Sequence, residues 1–151
     1  MNKDPLAFAS NNIIGLLFYL AHGATDLLSQ QYQPYRLFGL QHAFLTVICR
    51  NPGISQKELR QWFALDLSNI TRNLIHLEKF GYIRRERCEN DKRGWLLYPT
   101  SKAEEIYPRI VDIFDKTTEL LTAHMTSEEK ELLSKLLCQM QKNLKSVKKN
   151  Q

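Results

Sequence analysis

Asp66-Leu67-Ser68-Asn69-Ile70-Thr71-Arg72-Asn73-Leu74-Ile75-His76-Leu77-Glu78-Lys79-Phe80-Gly81 is the stretch on which the fold turns. Leu67, Ile70, Leu74 and Leu77 recur at three- and four-residue spacing, so the segment reads as a helix with one buried stripe. Asp66 stands where an N-cap carboxylate accepts the first free N–H groups, and Gly81 where a left-handed residue ends the helix. Ser68, Asn69, Thr71, Arg72, Asn73 and His76 are polar, and several of them cluster opposite the stripe. Short hydroxyl and amide groups near a helix N-terminus reach phosphates and base edges, and Arg can fork onto guanine. A plain solvated face has the same composition. Its neighbours must decide.

Downstream of Gly81 the period falls to two. Tyr82 to Cys88 and Trp95 to Tyr98 read as strands around the polar loop Glu89-Asn90-Asp91-Lys92-Arg93-Gly94, and Pro99 closes the second. Arg84, Arg85, Arg87, Lys92 and Arg93 fall within this hairpin beside Glu86, Glu89 and Asp91. A basic hairpin next to such a helix can reach along a duplex while the helix occupies the major groove, and Arg at its tip suits a narrow minor groove. Upstream, Asn51-Pro52-Gly53 is a stop-and-turn signal. Ser55-Gln56-Lys57-Glu58 is a capping box opening a helix with Leu59, Trp62 and Phe63 on its inner side. Before it, Leu40 to Arg50 carries Phe44, Leu45, Val47 and Ile48 as another short helix. Two short helices joined by a tight turn and followed by a basic hairpin are the parts of a winged helix-turn-helix, placed at residues 37–99.

The flanks read as a scaffold. Residues 8–32 form a long helix whose first half, Ile13 to Leu20, is apolar nearly all round, and Gln33-Pro34 ends it. A helix of that kind must be buried on more than one side, which in a small protein implies a subunit interface as well as a core. Ile106, Ile110, Ile113, Phe114, Leu120 and Leu121 fit a fifth helix. Thr126 with Glu129 caps a sixth, whose stripe is Leu132, Leu133, Leu136, Leu137, Met140, Leu144 and Val147. The expected fold is therefore mainly α with a small β-hairpin wing, six helices, and dimerisation through residues 8–33 and 101–148. Two-fold half-sites in DNA call for such a two-fold protein.

Charge supports the middle as the contact region. The formal net charge is +5 over 151 residues. Residues 34–100 hold eleven Lys or Arg against six acids, whereas residues 1–33 hold one against two and residues 101–151 nine against eight. The excess belongs to the winged part. Cys49, Cys88 and Cys138 have no metal-ligand spacing and indicate neither a disulfide framework nor a metal site. The opening MNKDPLAFAS has no basic-then-apolar signal, so a cytoplasmic location is expected, and Ile13 to Ala21 is too short to span a bilayer. No catalytic order of Ser, His and Asp, phosphate loop or paired carboxylates can be built, so the chain is not expected to be an enzyme or to carry a cofactor.

The chain resembles the MarR family of winged-helix regulators. The likeness rests on Leu67-Ser68-Asn69-Ile70-Thr71-Arg72, on Leu77-Glu78-Lys79-Phe80-Gly81-Tyr82-Ile83, on the Asp91-Lys92-Arg93 signature of the wing, and on Thr100 at the next helix. Pro99 and Ala103 replace the family's Leu and Gly, and a bulky Trp95 follows the wing. The resemblance implies a single domain over residues 1–151 that binds double-stranded DNA as a homodimer, most commonly as a repressor. Ser68, Asn69, Thr71 and Arg72 would then face the major groove with His76 at its margin. Arg85 and Lys92 would join the contact, and Arg93 would enter the minor groove. Asp66 would orient Arg93, and Asp91 would steady the wing turn; each acid also fits a purely local role, as cap and as turn residue. A small aromatic ligand would sit near Tyr19, His22, Asp26, His42 and Phe44, although Tyr19 and Phe44 equally fit a core. Cys49 and Cys138 are expected to be buried and inert, leaving Cys88 as the candidate redox sensor. The other reading is a winged-helix module that contacts protein or RNA through the same basic face.

Overall fold

Asn12 is extended, and its side-chain oxygen accepts the N–H of Ile14 at 3.0 Å, which starts helix α1 (Ile13–Tyr32). The computed structural model describes residues 12–63, 65–88 and 94–149, so the expected start at residue 8 lies outside the described residues. Pro34 ends α1 as expected, through a single 3-10 turn (Gln33–Tyr35) that Arg36 closes in the left-handed region at φ 55°. Then come α2 (Gln41–Arg50), β1 (Ile54–Ser55), α3 (Gln56–Phe63), α4 (Leu67–Lys79), β2 (Ile83–Arg87), β3 (Trp95–Pro99), α5 (Ser101–Leu121) and α6 (Ser127–Lys149). The six helices and the hairpin are those read from the sequence; β1 was not foreseen. It pairs antiparallel with β3, Ile54 opposite Leu97, and makes the sheet order β1-β3-β2.

Local chemistry explains the junctions. Gly53, at φ +85°, donates its N–H to the Leu97 carbonyl at 2.8 Å, and a Cβ there would meet the Tyr98 hydroxyl at 3.2 Å. A larger residue would be strained twice over. Ser55 and Glu58 exchange the expected capping bonds, Glu58 N–H to Ser55 Oγ at 3.1 Å and Ser55 N–H to Glu58 Oε2 at 2.9 Å. At the end of α4, the N–H of Gly81 reaches the Glu78 carbonyl at 2.9 Å and that of Tyr82 the Leu77 carbonyl at 2.8 Å. Both bonds of a Schellman motif are thus made, with Gly81 at φ +73°.

The chain divides into two compact units, residues 1–117 and 118–151. In the first, Tyr32, Leu37, Phe44, Leu45, Ile48, Leu59, Ile70, Leu74, Leu77, Leu97 and Ile110 are fully buried. Tyr32 donates its hydroxyl to the Ile110 carbonyl at 2.9 Å, tying the end of α1 to α5. In the second, Thr126 and Glu129 make the expected capping box, at 2.8 and 3.2 Å.

Three burial expectations are corrected. Leu67 follows the period of the buried stripe but is 56% exposed, because the core begins one turn further in, at Ile70. Trp62 is 63% exposed while its neighbours on α3 pack inward, Phe63 stacking on Phe44 at 4.4 Å. Cys138 is exposed, because at 100° per residue it falls on the side of α6 opposite the apolar stripe. In α1 only Leu28 and Tyr32 are buried within the chain, and Phe18 is 74% exposed.

Candidate nucleic-acid interface

The α4 helix begins on Asp66, whose carboxylate accepts the Asn69 N–H at 2.8 Å and the Asn69 side-chain amide at 2.6 Å. These bonds hold the Asp66 carboxyl below its ordinary value. Asp66 is therefore a cap in this structure; its expected partner Arg93, with Asp91 and Lys92, lies outside the described residues. Asn69 is occupied by the cap, and Asn73 donates its amide to the Asn69 carbonyl at 2.8 Å. Ser68 and Arg72 lie exposed on the outer face. Arg72 has no hydrogen-bond or ion-pair partner among the described residues. Leu67, Ser68, Thr71, Arg72 and Ile75 surround a shallow open depression, in which Ile75 is half-exposed.

His76 stands on a different flank. Its Nε2 lies 2.8 Å from the Arg36 carbonyl, and its ring meets Phe80 at 4.4 Å and Phe38 at 5.9 Å. The Arg36 guanidinium sits over the Phe80 ring at 5.4 Å. His76 thus joins α4 to the turn between α1 and α2, apart from Ser68 and Arg72.

Between α3, α4 and the wing runs a groove of about 590 Å³ lined by Ser55, Gln56, Lys57, Arg60, Leu67, Thr71, Arg85, Cys88, Gly94 and Trp95. Gln56 donates to the Thr71 hydroxyl at 3.2 Å, linking the two helices of the motif. Ser68, Thr71 and Arg72 therefore share one side of the molecule with the basic residues of α3 and the wing root. Arg85 is turned inward: its Nε donates to Glu78 at 2.8 Å, its Nη2 also reaches Glu78, and it lies 5.5 Å from the Trp95 ring centre. Arg87 covers the same ring at 4.0 Å, and Arg84 lies over Tyr98 at 4.4 Å and pairs with Glu86. Lys57 and Arg60 are further basic residues of this side, and their spacing of three on the helix before α4 is a signal legible in the sequence. Gln56, Ile75 and Glu78 carry no such local signal, since their places depend on contacts with other elements.

The five residues expected around a ligand do not form one site. Tyr19, His22 and Asp26 are exposed on α1, with His22 and Asp26 3.7 Å apart. His42 is buried, stacked on Tyr32 at 4.5 Å, and lines a cavity of about 390 Å³ with Thr46, Arg50, Trp62, Phe63, Phe114 and Asp115. Burial pushes the His42 imidazole below its ordinary value, with a backbone hydrogen bond at Gly39 opposing. Phe44 is core, reaching this cavity through the Phe63 ring stacked on it. Arg50, Trp62 and Asp115 were not foreseen here. Cys49 is half-buried, and burial followed by the nearby Glu104 charge raises its thiol to about 11, which disfavours the reactive thiolate. Cys88 is half-buried on the groove wall. Among the described residues no His, Cys, Asp and Glu group could hold a metal ion, and no helix is long and apolar enough to cross a membrane.

Residues 38–94, the winged part, match the sequence profile of the MarR family. An HTH-type transcriptional regulator of Bacillus subtilis, YybA, itself uncharacterised, is 30% identical over 134 residues, covering 89% of each chain. A MarR protein from Peptoclostridium difficile superposes with a TM-score of 0.87 at 33% identity, over 89% of this chain and 88% of that one. A putative MarR family regulator from Listeria monocytogenes, solved in complex with a 26mer DNA, superposes at 0.84 with 26% identity, over 88% and 89%. These relatives are transcriptional regulators, not enzymes.

Proposed function

This chain belongs to the MarR family of winged helix-turn-helix transcriptional regulators, and we propose that it represses its target genes as a homodimer on a pseudo-palindromic duplex operator. The observation that carries this reading is the shared side of the molecule. Ser68, Thr71 and Arg72 of α4 lie along one groove system with Lys57 and Arg60 of α3 and the arginine-rich wing root. In that reading α4 enters the major groove, where Arg72 reads guanine and the half-exposed Leu67 and Ile75 meet thymine methyl groups. Ser68 contacts DNA at its N-terminal end, beside the cap that Asn69 makes with Asp66; Lys57 and Arg60 hold phosphates, Lys92 joins them, and Arg93 enters the minor groove. The Listeria relative bound to DNA supports the same assignment by likeness. His76, engaged with Arg36, serves at the margin by holding α4 against the α1–α2 turn.

Release by a small aromatic ligand completes the proposal. Its support is the cavity between α2, α3 and α5, whose volume falls in the range of small-molecule sites and whose walls combine Trp62, Phe63 and Phe114 with Arg50 and Asp115. A ligand there would press on α3, the first helix of the DNA-reading pair. Such a regulator works in the cytoplasm, where its DNA is.

The test is enrichment of duplexes from a random pool, followed by binding of the enriched and a scrambled duplex across a salt series. Preference for the enriched duplex by three or more decades, with a steep salt slope, is expected. Equal affinity for both, or a stronger affinity for RNA, would replace this reading with an interaction module on the same basic face.

A further inference from the structure

We propose that Glu78 and Arg85 form a positioning pair that sets the angle of the wing to the recognition helix, so that Arg85 serves DNA binding through the wing and not by holding a phosphate. This rests on the DNA-reading function proposed above and assigns within it a role to two residues.

The wing needs such a bracket because its sheet thins towards the tip. Strand β1 pairs only with Leu96 and Leu97, so from Trp95 outwards β2 and β3 are a two-stranded ribbon. Ribbons of two strands twist strongly and are marginal by themselves. Side-chain alternation places Ile83, Arg85 and Arg87 on one face of β2, opposite Pro99, Leu97 and Trp95. That face is core at Ile83 and Leu97, both buried, and the core ends there. Arg85 is the next inward position. Its side chain is 18% exposed, and its Nε and Nη2 converge on one oxygen of Glu78 in the last turn of α4. Trp95 lies across the guanidinium, and Arg87 closes over the same ring.

The pair therefore ties the recognition helix to β2 in the last stretch that β1 still supports, just before the two-stranded ribbon begins at Arg87 and Trp95. Glu78 is an acid on the DNA-reading helix, a placement that costs affinity for a polyanion unless its charge is matched. Arg85 matches it. Charge alone and positioning then predict opposite signs for the same substitution.

Glu78→Gln removes a negative charge and releases Arg85. If Arg85 acts as a phosphate contact, affinity for the enriched duplex rises. If the pair positions the wing, affinity falls, on the order of tenfold for one lost charge-assisted bracket. Arg85→Lys separates the readings a second time. A lysine serves a phosphate as well as arginine does, but cannot place two nitrogens on Glu78 and a planar group against Trp95. A fall in affinity is expected there too. In a Trp62→Phe background Trp95 is the sole tryptophan, so its emission reports the bracket directly and is expected to shift in both variants. Unchanged or tighter binding by Glu78→Gln, or full affinity in Arg85→Lys, overturns the proposal. A parent chain with no duplex preference would instead overturn the proposed function, and this role with it.

Discussion

Asp66 and Glu58 both start helices with bonds to a residue three positions on or three positions back, and those bonds hold both carboxyls below their ordinary values. A carboxylate whose folded-state value is lowered stabilises fully above its unfolded value and loses that contribution as pH falls through the folded one. The ordinary values are 3.8 and 4.5, so the loss is expected below pH 4.5. Urea midpoints of the Asp66→Asn, Glu58→Gln double variant should fall less steeply on acidification than those of the parent. Parallel curves would show that other groups carry the acid sensitivity. At the same scale, Arg72→Ala should reduce the preference for the enriched duplex over a scrambled one by about 1–3 kcal/mol, read as a ratio of affinities. Arg93→Ala should instead weaken both duplexes together and lower the salt slope by about one. Equal losses on both duplexes in the Arg72 variant would remove it from base readout. The caps were legible in the sequence because partners lie three residues apart. The engagement of His76 with Arg36, 40 residues away, was not.

Among the elements, α4 is held by Ile70, Leu74 and Leu77, all fully buried, while Leu67 of the same stripe is left for the outer face. Leu74→Ala should cost about 2–5 kcal/mol of unfolding free energy, measured by denaturant titration, and Leu67→Ala far less. Near-equal costs would mean that Leu67 is covered in solution. The tie between α1 and α5 makes a pH prediction of opposite sign. Burial, and then the Asp115 charge, pushes the Tyr32 hydroxyl up to about 12 from 10.0. A raised value stabilises fully below pH 10 and is lost as pH rises towards 12. Alkaline unfolding over that window should be shallower in Tyr32→Phe, and tyrosinate absorbance should show one group titrating late. An identical alkaline limb in the variant would place the sensitivity elsewhere.

At the scale of the molecule the outstanding feature is uncovered apolar surface. Ile13, Ile14, Phe18 and Leu20 are exposed on α1, and Leu132, Leu136, Leu144 and Val147 on α6. Contiguous apolar faces of this kind mark association surfaces, and the homodimer proposed above is what would cover them. The 17.7 kDa chain is expected to sediment at twice its mass. Phe18→Asp with Leu132→Asp should give a monomer that keeps its helical content and loses dependence on half-site spacing. A parent chain at single mass would leave the two faces unexplained and remove the two-fold operator.

What the sequence determined by itself is the order and kind of the six helices and the hairpin, and the bounds of α4, the helix proposed above to read DNA. Caps, glycines and a 3.6-residue period act over one or two turns, so each leaves its full imprint within a short window: Asp66 to Gly81, Ser55 to Glu58, Thr126 to Glu129. Tertiary structure decided everything that depends on what lies opposite. It added β1, whose two residues are too short to show a period. It left Trp62 and Leu67 exposed, because periodicity gives the direction of a side chain and not where the core ends. It gathered His42, Arg50, Trp62 and Asp115 around one cavity from three helices. It also turned Arg85 inward to Glu78. In the sequence all the wing arginines look alike, and only the pairing of β2 with β3 and their packing on α4 tells them apart.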